Sequence, residues 1–176
     1  MNLIFKKATK EDVAVINGLA KRIWNKHYVN IITQAQIDYM LEEMYSIKNL
    51  TKQIEEGHEF TLVLNGEIPI GYISLESKDG KKYFLHKFYV EVDEHGKSIG
   101  SKLFEYVLTQ MPTAESIELF VNRENFKSVN FYFKHGFTID RTIDKDIGEG
   151  FFMNDFVMIK KINTPLTFFK RGVGSE

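Results

Sequence analysis

With no cysteine among its 176 residues, the chain has no thiolate nucleophile, no disulfide and no Cys-ligated zinc, which fits a reducing compartment. Its chemistry must come from phenols, imidazoles, carboxylates and backbone N–H groups. The N–H groups concentrate in Phe88 to Leu108, FYVEVDEHGKSIGSKLFEYVL. There a β-branched and aromatic run ends in a short turn, and an apolar-periodic helix begins at once. Amides left unpaired at a helix start, with aligned peptide dipoles behind them, favour an anion, and a phosphate is the natural ligand. His95, Gly96, Lys97, Ser98, Ile99, Gly100 and Ser101 form that cradle.

The flanking chain must supply a sheet and crossover helices to hold it. Leu3 to Lys6 reads as a strand. Thr9 with Asp12 three positions on is a variant capping box. Val13, Ile16, Leu19, Ala20 and Ile23 then recur at helical spacing as far as about Trp24. KHYVNII is too short and mixed for a regular element. Thr33 with Gln36 opens a second helix through Met44, and Ser46 to Glu56 reads as a third with Gly57 at its left-handed end. From Glu59 the period becomes two, and Asn65-Gly66 and Asp79-Gly80 punctuate three β runs into a meander. Pro69 belongs at a strand start or a bulge. The central helix runs from Ser98 to about Gln110, and SIELFV is a fifth strand. Asn125 to His135 is a helix closed by Gly136, and Phe137 to Ile143 with Phe151 to Lys160 make a long hairpin. The order predicts an α/β (α+β) fold with a mixed sheet of about seven strands. Strands four and five, joined through a helix, are parallel, with a gap between them where a ligand enters.

Composition bounds the partners. A chain with 43% hydrophobic and 14% aromatic residues can bury a proper core as one domain. A net charge of -1 offers no basic surplus for nucleic acid or an anionic membrane. No apolar leader or membrane-length apolar run is visible, so the expected location is cytoplasmic. Gly96-Lys97-Ser98 has the look of a P-loop ending. That loop needs glycine five positions before Gly96, where Glu91 stands, and no later strand end supplies a magnesium-binding Asp. Nucleoside triphosphate hydrolysis is set aside, and no metal is expected.

The spacing in HGKSIG is similar to the Gln/Arg-x-x-Gly-x-Gly/Ala loop of the GNAT superfamily of N-acetyltransferases, whose amides hold the coenzyme A pyrophosphate. It departs from that pattern at His95 and Ser98, with Gly100 in place. A second stretch, LFVNRENFKSVNFYFKHGF from Leu119 to Phe137, resembles the superfamily's C-terminal motif through Asn125, Ser128, Phe131, Tyr132, Gly136 and Phe137. Two motifs in order, one strand apart, are far more specific than either alone. The resemblance covers Leu3 to about Lys160, so one N-acetyltransferase domain is expected over residues 1–161, with 162–176 as a tail. It implies acetyl-CoA as acyl-donor co-substrate, with Asn125 and Ser128 along the pantetheine arm and Lys134 reaching a coenzyme phosphate. A bare helix cap also explains Asn125.

The same resemblance implies roles at the reacting centre. Tyr132 would give its proton to the departing thiolate, which a phenol of ordinary pKa can do at neutral pH. The N–H of Phe88 would face the thioester oxygen across a bulged strand, while Tyr89 and Val90 continue the coenzyme-binding edge and Val90 pairs with pantetheine. A primary amine of pKa ~10.4 is only about one part in a few thousand neutral at pH 7, a deficit of roughly 4 to 5 kcal/mol that a base must help overcome. His86, in LHKFYV, is similar to the histidine of LHALAV in arylalkylamine acetyltransferases and is the candidate base, with Glu118 and water as rivals. Trp24, His27, Tyr28, Tyr39 and Glu42 fall in the segment that walls the acceptor pocket in this family. A packed helix pair with a solvated acidic face explains them equally.

Finally, IWNKHY, QIDYMLEEMYS and IGEGFFMNDFVM resemble the branch containing bacterial spermidine/spermine N-acetyltransferases. The expected activity is acetyl transfer to a small primary amine, with a polyamine as one acceptor class, by direct attack in a ternary complex. The departures at His95 and Ser98 leave open a non-catalytic acyl-CoA sensor of the same fold. Phe168 and Phe169 in the tail offer a surface for a homodimer.

Overall fold

Thr9 opens the helical layer as its spacing predicts. Its hydroxyl accepts the Glu11 amide at 3.3 Å, and Asp12 accepts the Thr9 amide at 3.0 Å. Helix α1 (Val13–His27) follows and runs almost a turn past Trp24, with Lys26 and His27 in its last turn where the dipole favours positive charge. The chain leaves it through a 3-10 turn at Tyr28–Asn30. Thr33 and Ser46 cap α2 (Gln34–Tyr45) and α3 (Ile47–Glu55) through their hydroxyls. This computed structural model describes residues 2–162, so the tail, with Phe168 and Phe169, lies outside the described residues from 163 onward.

Seven strands form one mixed sheet in the order β1-β2-β3-β4-β5-β7-β6. They are β1 (Leu3–Lys7), β2 (Glu59–Asn65), β3 (Ile68–Ser77), β4 (Lys82–Val90), β5 (Ser116–Asn122), β6 (Thr138–Gly148) and β7 (Phe151–Lys161). Helices α4 (Ile99–Thr109) and α5 (Phe126–Lys134) make the crossovers. Pro69 sits beside a register shift near the start of β3, where its missing N–H does no harm. Helices α1 to α3 cover one face of the sheet, burying Ile16, Leu19, Ile37 and Leu50 against Phe60, Leu62 and Tyr72. On the other face Leu103, Phe104 and Val107 of α4 and Val129 of α5 pack on Ile73, Leu85, Ile117 and Leu119. No helix among the described residues is long and apolar enough to cross a membrane.

One strand is longer than its sequence suggests. β6 continues past Ile143 to Gly148, because Asp144, Lys145 and Asp146 still pair with Asn154, Met153 and Phe152 of β7. β5 reaches along β7 only to Asp155, so this part of the hairpin stands clear of the sheet and tolerates charged residues. Glu149 and Gly150, both at positive φ, close it in a two-residue turn.

β4 and β5 are parallel but pair only from Lys82 to Phe84, opposite Ser116 to Glu118. Beyond Phe84 they diverge, and the sheet is open where the gap was expected.

Candidate active site

An extra residue in β4 shapes the gap. Ser74 of β3 faces Lys87 and Leu75 faces Leu85, so His86 is the bulged residue. Tyr83 and Leu85 before it, and Phe88 and Val90 after it, all belong to the α4 side of the core. The bulge also resets which backbone groups face the gap. Glu91 N–H donates to Ile70 at 2.8 Å, so alternation turns the N–H and C=O groups of Phe88 and Val90 away from β3 and into the opening.

On one side of Phe88 lies a cavity of about 550 Å³ between the β4–α4 loop and α5, lined by His95, Gly96, Ser98, Ile99, Gly100 and Ser101 among others. The first intrahelical bond of α4 is Lys102 N–H to Ser98 C=O at 3.2 Å, which leaves the amides of Ile99, Gly100 and Ser101 without helical acceptors. Lys127 and Lys134 add positive charge from α5. These open amides and lysines suit a pyrophosphate. A Cβ at Gly100 would come within 3.1 Å of the Phe131 ring, so the small residue lets α4 approach α5. Ser98 adopts φ 60, a left-handed conformation in which a side chain is strained and glycine is not.

His95 donates Nε2–H to the Val90 carbonyl at 3.0 Å and accepts from Lys127 at Nδ1 at 2.6 Å. Burial is the main reason its pKa lies below the ordinary value, with Lys127 adding to it. Lys97 does not line the cavity, since its ammonium pairs with Glu94 at 2.9 Å. Asn125 caps α5 by accepting the Ser128 amide at 3.3 Å, and its Nδ2 donates to His27 Nε2 at 2.9 Å. His27 lines this cavity and not the acceptor wall, whereas Asn125, expected along the coenzyme arm, lines the cavity on the other side of Phe88. Lys127, Asn130 and Phe131 line it too and were not expected. Phe131 carried a signal as a residue of the second motif, and Lys127 as a basic residue one turn before it.

On the other side lies a cavity of about 390 Å³ walled by Trp24, Tyr28, Met40, Tyr45, Tyr89 and Phe120, among others. Phe88, Ser128 and Tyr132 line both cavities and mark where they meet. Tyr132 is 7% exposed, and burial pushes its phenol well above the ordinary value, so it is protonated at neutral pH. The Tyr89 side chain points to the α1–α3 face, its hydroxyl 3.3 Å from that of Tyr28, and so belongs to this wall and not to the coenzyme cradle.

Besides His27, two expected acceptor residues, Glu42 and Tyr39, lie outside this cavity. Ile37, Met40, Leu41 and Tyr45 take the inward face of α2, which leaves Glu42 exposed one hundred degrees away. Tyr39 turns its hydroxyl to the Ile147 carbonyl and its ring to Phe151, bracing the β6–β7 hairpin. Glu118 faces Arg141 at 3.7 Å and lines neither cavity.

His86 lines the acceptor cavity, with Nε2 2.8 Å from Glu76 and its ring stacked on His58 at 4.2 Å. Burial outweighs the Glu76 bond and pushes its pKa down to about 4. His58, Glu76 and His86 bring ligand atoms within 4.8 Å of one another. The imidazoles stack at an interplanar angle of 31° instead of converging on a common point, so the arrangement is that of a hydrogen-bonded His–Glu pair. Lys87, 8% exposed, has no carboxylate partner among the described residues; Gln53 accepts from it at 2.7 Å, and burial pushes its pKa down to about 8. Asp155 of β7 also lines this cavity and was not expected. It is 4% exposed, and burial pushes its pKa up to about 6.

The splayed parallel pair, the amide cradle at the start of α4 and the junction at Tyr132 define an acyltransferase fold. Residues 19–137 match the family described as Acetyltransferase (GNAT) family, and the chain belongs to it. It is an acetyl-CoA-dependent N-acetyltransferase by class. Among its relatives, a spermidine N(1)-acetyltransferase of Thermoplasma acidophilum is 26% identical over 169 residues, 92% of this chain and 98% of that protein. The crystal structure of PaiA N-acetyltransferase from Thermoplasma acidophilum, in complex with coenzyme A, is similar with a TM-score of 0.78 at 25% identity, covering 92% of this chain and 100% of that one. A GCN5-related N-acetyltransferase of Rhodopseudomonas palustris shares the fold at a TM-score of 0.76 and 15% identity, covering 92% and 97%.

Proposed function

We propose that the protein moves the acetyl group of acetyl-CoA directly to a small primary amine held in the acceptor cavity. The observation that carries this is the junction itself: Tyr132, Ser128 and Phe88 line both cavities, so a thioester in one and an amine in the other would meet there. Bound coenzyme would lay its pyrophosphate on the amides of Ile99, Gly100 and Ser101 and a phosphate near Lys127 or Lys134. Its arm would run past Asn125 and Ser128 to Val90. Acetyl-CoA supplies the activated acyl group; the protein supplies position and charge.

The Phe88 N–H faces the gap as a donor for the thioester oxygen, whose charge grows as the carbon becomes tetrahedral. Tyr132 protonates the leaving sulfur. Two groups compete to take the proton from the amine, His86 and Asp155. The aromatic wall of Trp24, Tyr28 and Tyr45 suits an alkylammonium and its methylenes. Spermidine is the first acceptor to test, because it is the acceptor in the name of a relative matched along nearly its whole length. The test is thiol release from acetyl-CoA over a panel of amines including spermidine, after calorimetry with acetyl-CoA. Binding with turnover on at least one primary amine is expected. Tight binding with no turnover on any would favour a sensor of acyl-CoA and overturn the proposal.

A further inference from the structure

Asp155 is a residue the fold does not need. In FFMNDFVMI it shares a strand face with Met153 and Val157, so period-two alternation turns a carboxylate inward where an apolar side chain would pack. It is buried to 4% exposure, and no described residue donates a hydrogen bond to it. Arg123, the cation that acts on it, is bound to Asp144 instead. Among the described residues lining the acceptor cavity, Asp155 is the only carboxylate. A buried, unpartnered carboxylate aimed into a cavity is unfavourable until a cation meets it.

Its neighbours put it at the reacting end. Asp155 stands opposite Asn122 of β5 in the register, and both line the cavity that Tyr28, Phe88 and Tyr132 also line. The titratable and charged groups that share this cavity with Asp155 are Tyr28, Tyr45, Lys78, His86, Lys87, Tyr89, Tyr132 and Lys145, and Arg123 acts on it from the end of β5. His86 stands on the opposite strand of the gap with its Nε2 committed to Glu76.

We propose that Asp155 seats the acceptor's ammonium and takes the proton that makes the nitrogen a nucleophile. This rests on the acetyl-transfer reading above. The ammonium gives one proton to an Asp155 carboxylate oxygen. The freed lone pair bonds to the thioester carbonyl carbon, the C–S bond breaks with its electron pair on sulfur, and sulfur takes the Tyr132 proton. The second nitrogen proton, lost as the amide forms, restores Tyr132 through solvent. Asp155 releases its own proton to solvent, so one proton is liberated per turnover. Its raised pKa leaves Asp155 ionised at neutral pH and still basic enough to accept a proton.

The test is the pH dependence of kcat/KM for spermidine and for phenethylamine in wild type, Asp155→Asn and Asp155→Glu, with acetyl-CoA affinity measured by calorimetry. Wild type should lose rate as pH falls through about 6. Asp155→Asn should lose that limb and roughly 10²-fold or more of the rate, keep its acetyl-CoA affinity, and be partly rescued in Asp155→Glu. If wild type turns over and Asp155→Asn keeps both rate and limb, the assignment is wrong while acetyl transfer stands. If wild type acetylates neither these amines nor any other in the panel, both readings fall.

Discussion

Asp155→Asn removes a buried charge without changing side-chain shape, and its effect on folding should run opposite to its effect on turnover. The carboxyl has an ordinary pKa of 3.8 and burial pushes it up to about 6 in the fold. A raised acid binds its proton more tightly when folded. Below the ordinary value both states are protonated and the group costs nothing; as pH rises through about 6 the folded protein must ionise a desolvated carboxylate, and stability is lost. About two pH units at 1.36 kcal/mol each put the full cost at about 3 kcal/mol. Little of that is screened, since the residue is 4% exposed. At pH 8 Asp155→Asn should therefore unfold later than wild type by about 3 kcal/mol, or roughly 6 to 12 °C in Tm for a chain of this size. The gap should narrow steadily toward pH 4.5. Urea denaturation of both proteins across that range measures it. A variant no more stable than wild type at pH 8, or a gap that does not shrink in acid, would refute the picture of an unpartnered buried carboxylate.

Tyr132→Phe should lower kcat roughly 10²-fold with acetyl-CoA affinity retained, since it removes a proton donor and little packing; wild-type thiol release with a good acceptor would remove Tyr132 from the mechanism. Ser98→Gly should relieve the left-handed strain at φ 60, raising the unfolding free energy measured in urea by about 0.5 kcal/mol after glycine's entropic penalty and holding or tightening acetyl-CoA binding in calorimetry. A loss in both would contradict the strain. Lys127→Ala with Lys134→Ala should weaken acetyl-CoA binding roughly tenfold at low ionic strength and by less at high salt, as expected of partly screened phosphate contacts. Equal weakening at all salt concentrations would point to packing.

The elements were legible wherever a periodic apolar pattern met a capping or turn residue: Thr9 and Thr33 cap as their spacing predicts, the third helix opens at Ser46, and the α4 and α5 crossovers fall within a residue or two. The coenzyme side was legible for a related reason, because a helix start is local and its amides need no distant partner. The acceptor side was not. Its walls come from α1, α2, β4, β5, β6 and β7, and which face of each is inward depends on phases that composition does not reveal. Glu42 and Tyr39 fell out because they lie off the inward stripe of α2. Asp155 was overlooked because an acid in a strand ordinarily reads as a solvent-facing residue, although its phase with Val157 marked it as inward.

The bulge at His86 joins the two halves. Without it, alternation would carry the Tyr83 and Leu85 face on to Lys87 and Tyr89, turning Phe88 and Val90 to the α1–α3 side. Phe88 would then leave the core beside Phe131 and Tyr132, and its N–H would be spent on β3 instead of facing the gap. Lys87 and Tyr89 would likewise leave the acceptor wall. The bulge thus lets β4 carry an extra residue without turning these side chains over. Deleting His86 would leave Leu85 and Lys87 consecutive opposite Leu75 and Ser74, so the faces of Phe88, Tyr89 and Val90 should hold and acetyl-CoA affinity should stay close to that of His86→Ala. A collapse of affinity in the deletion alone would contradict this register.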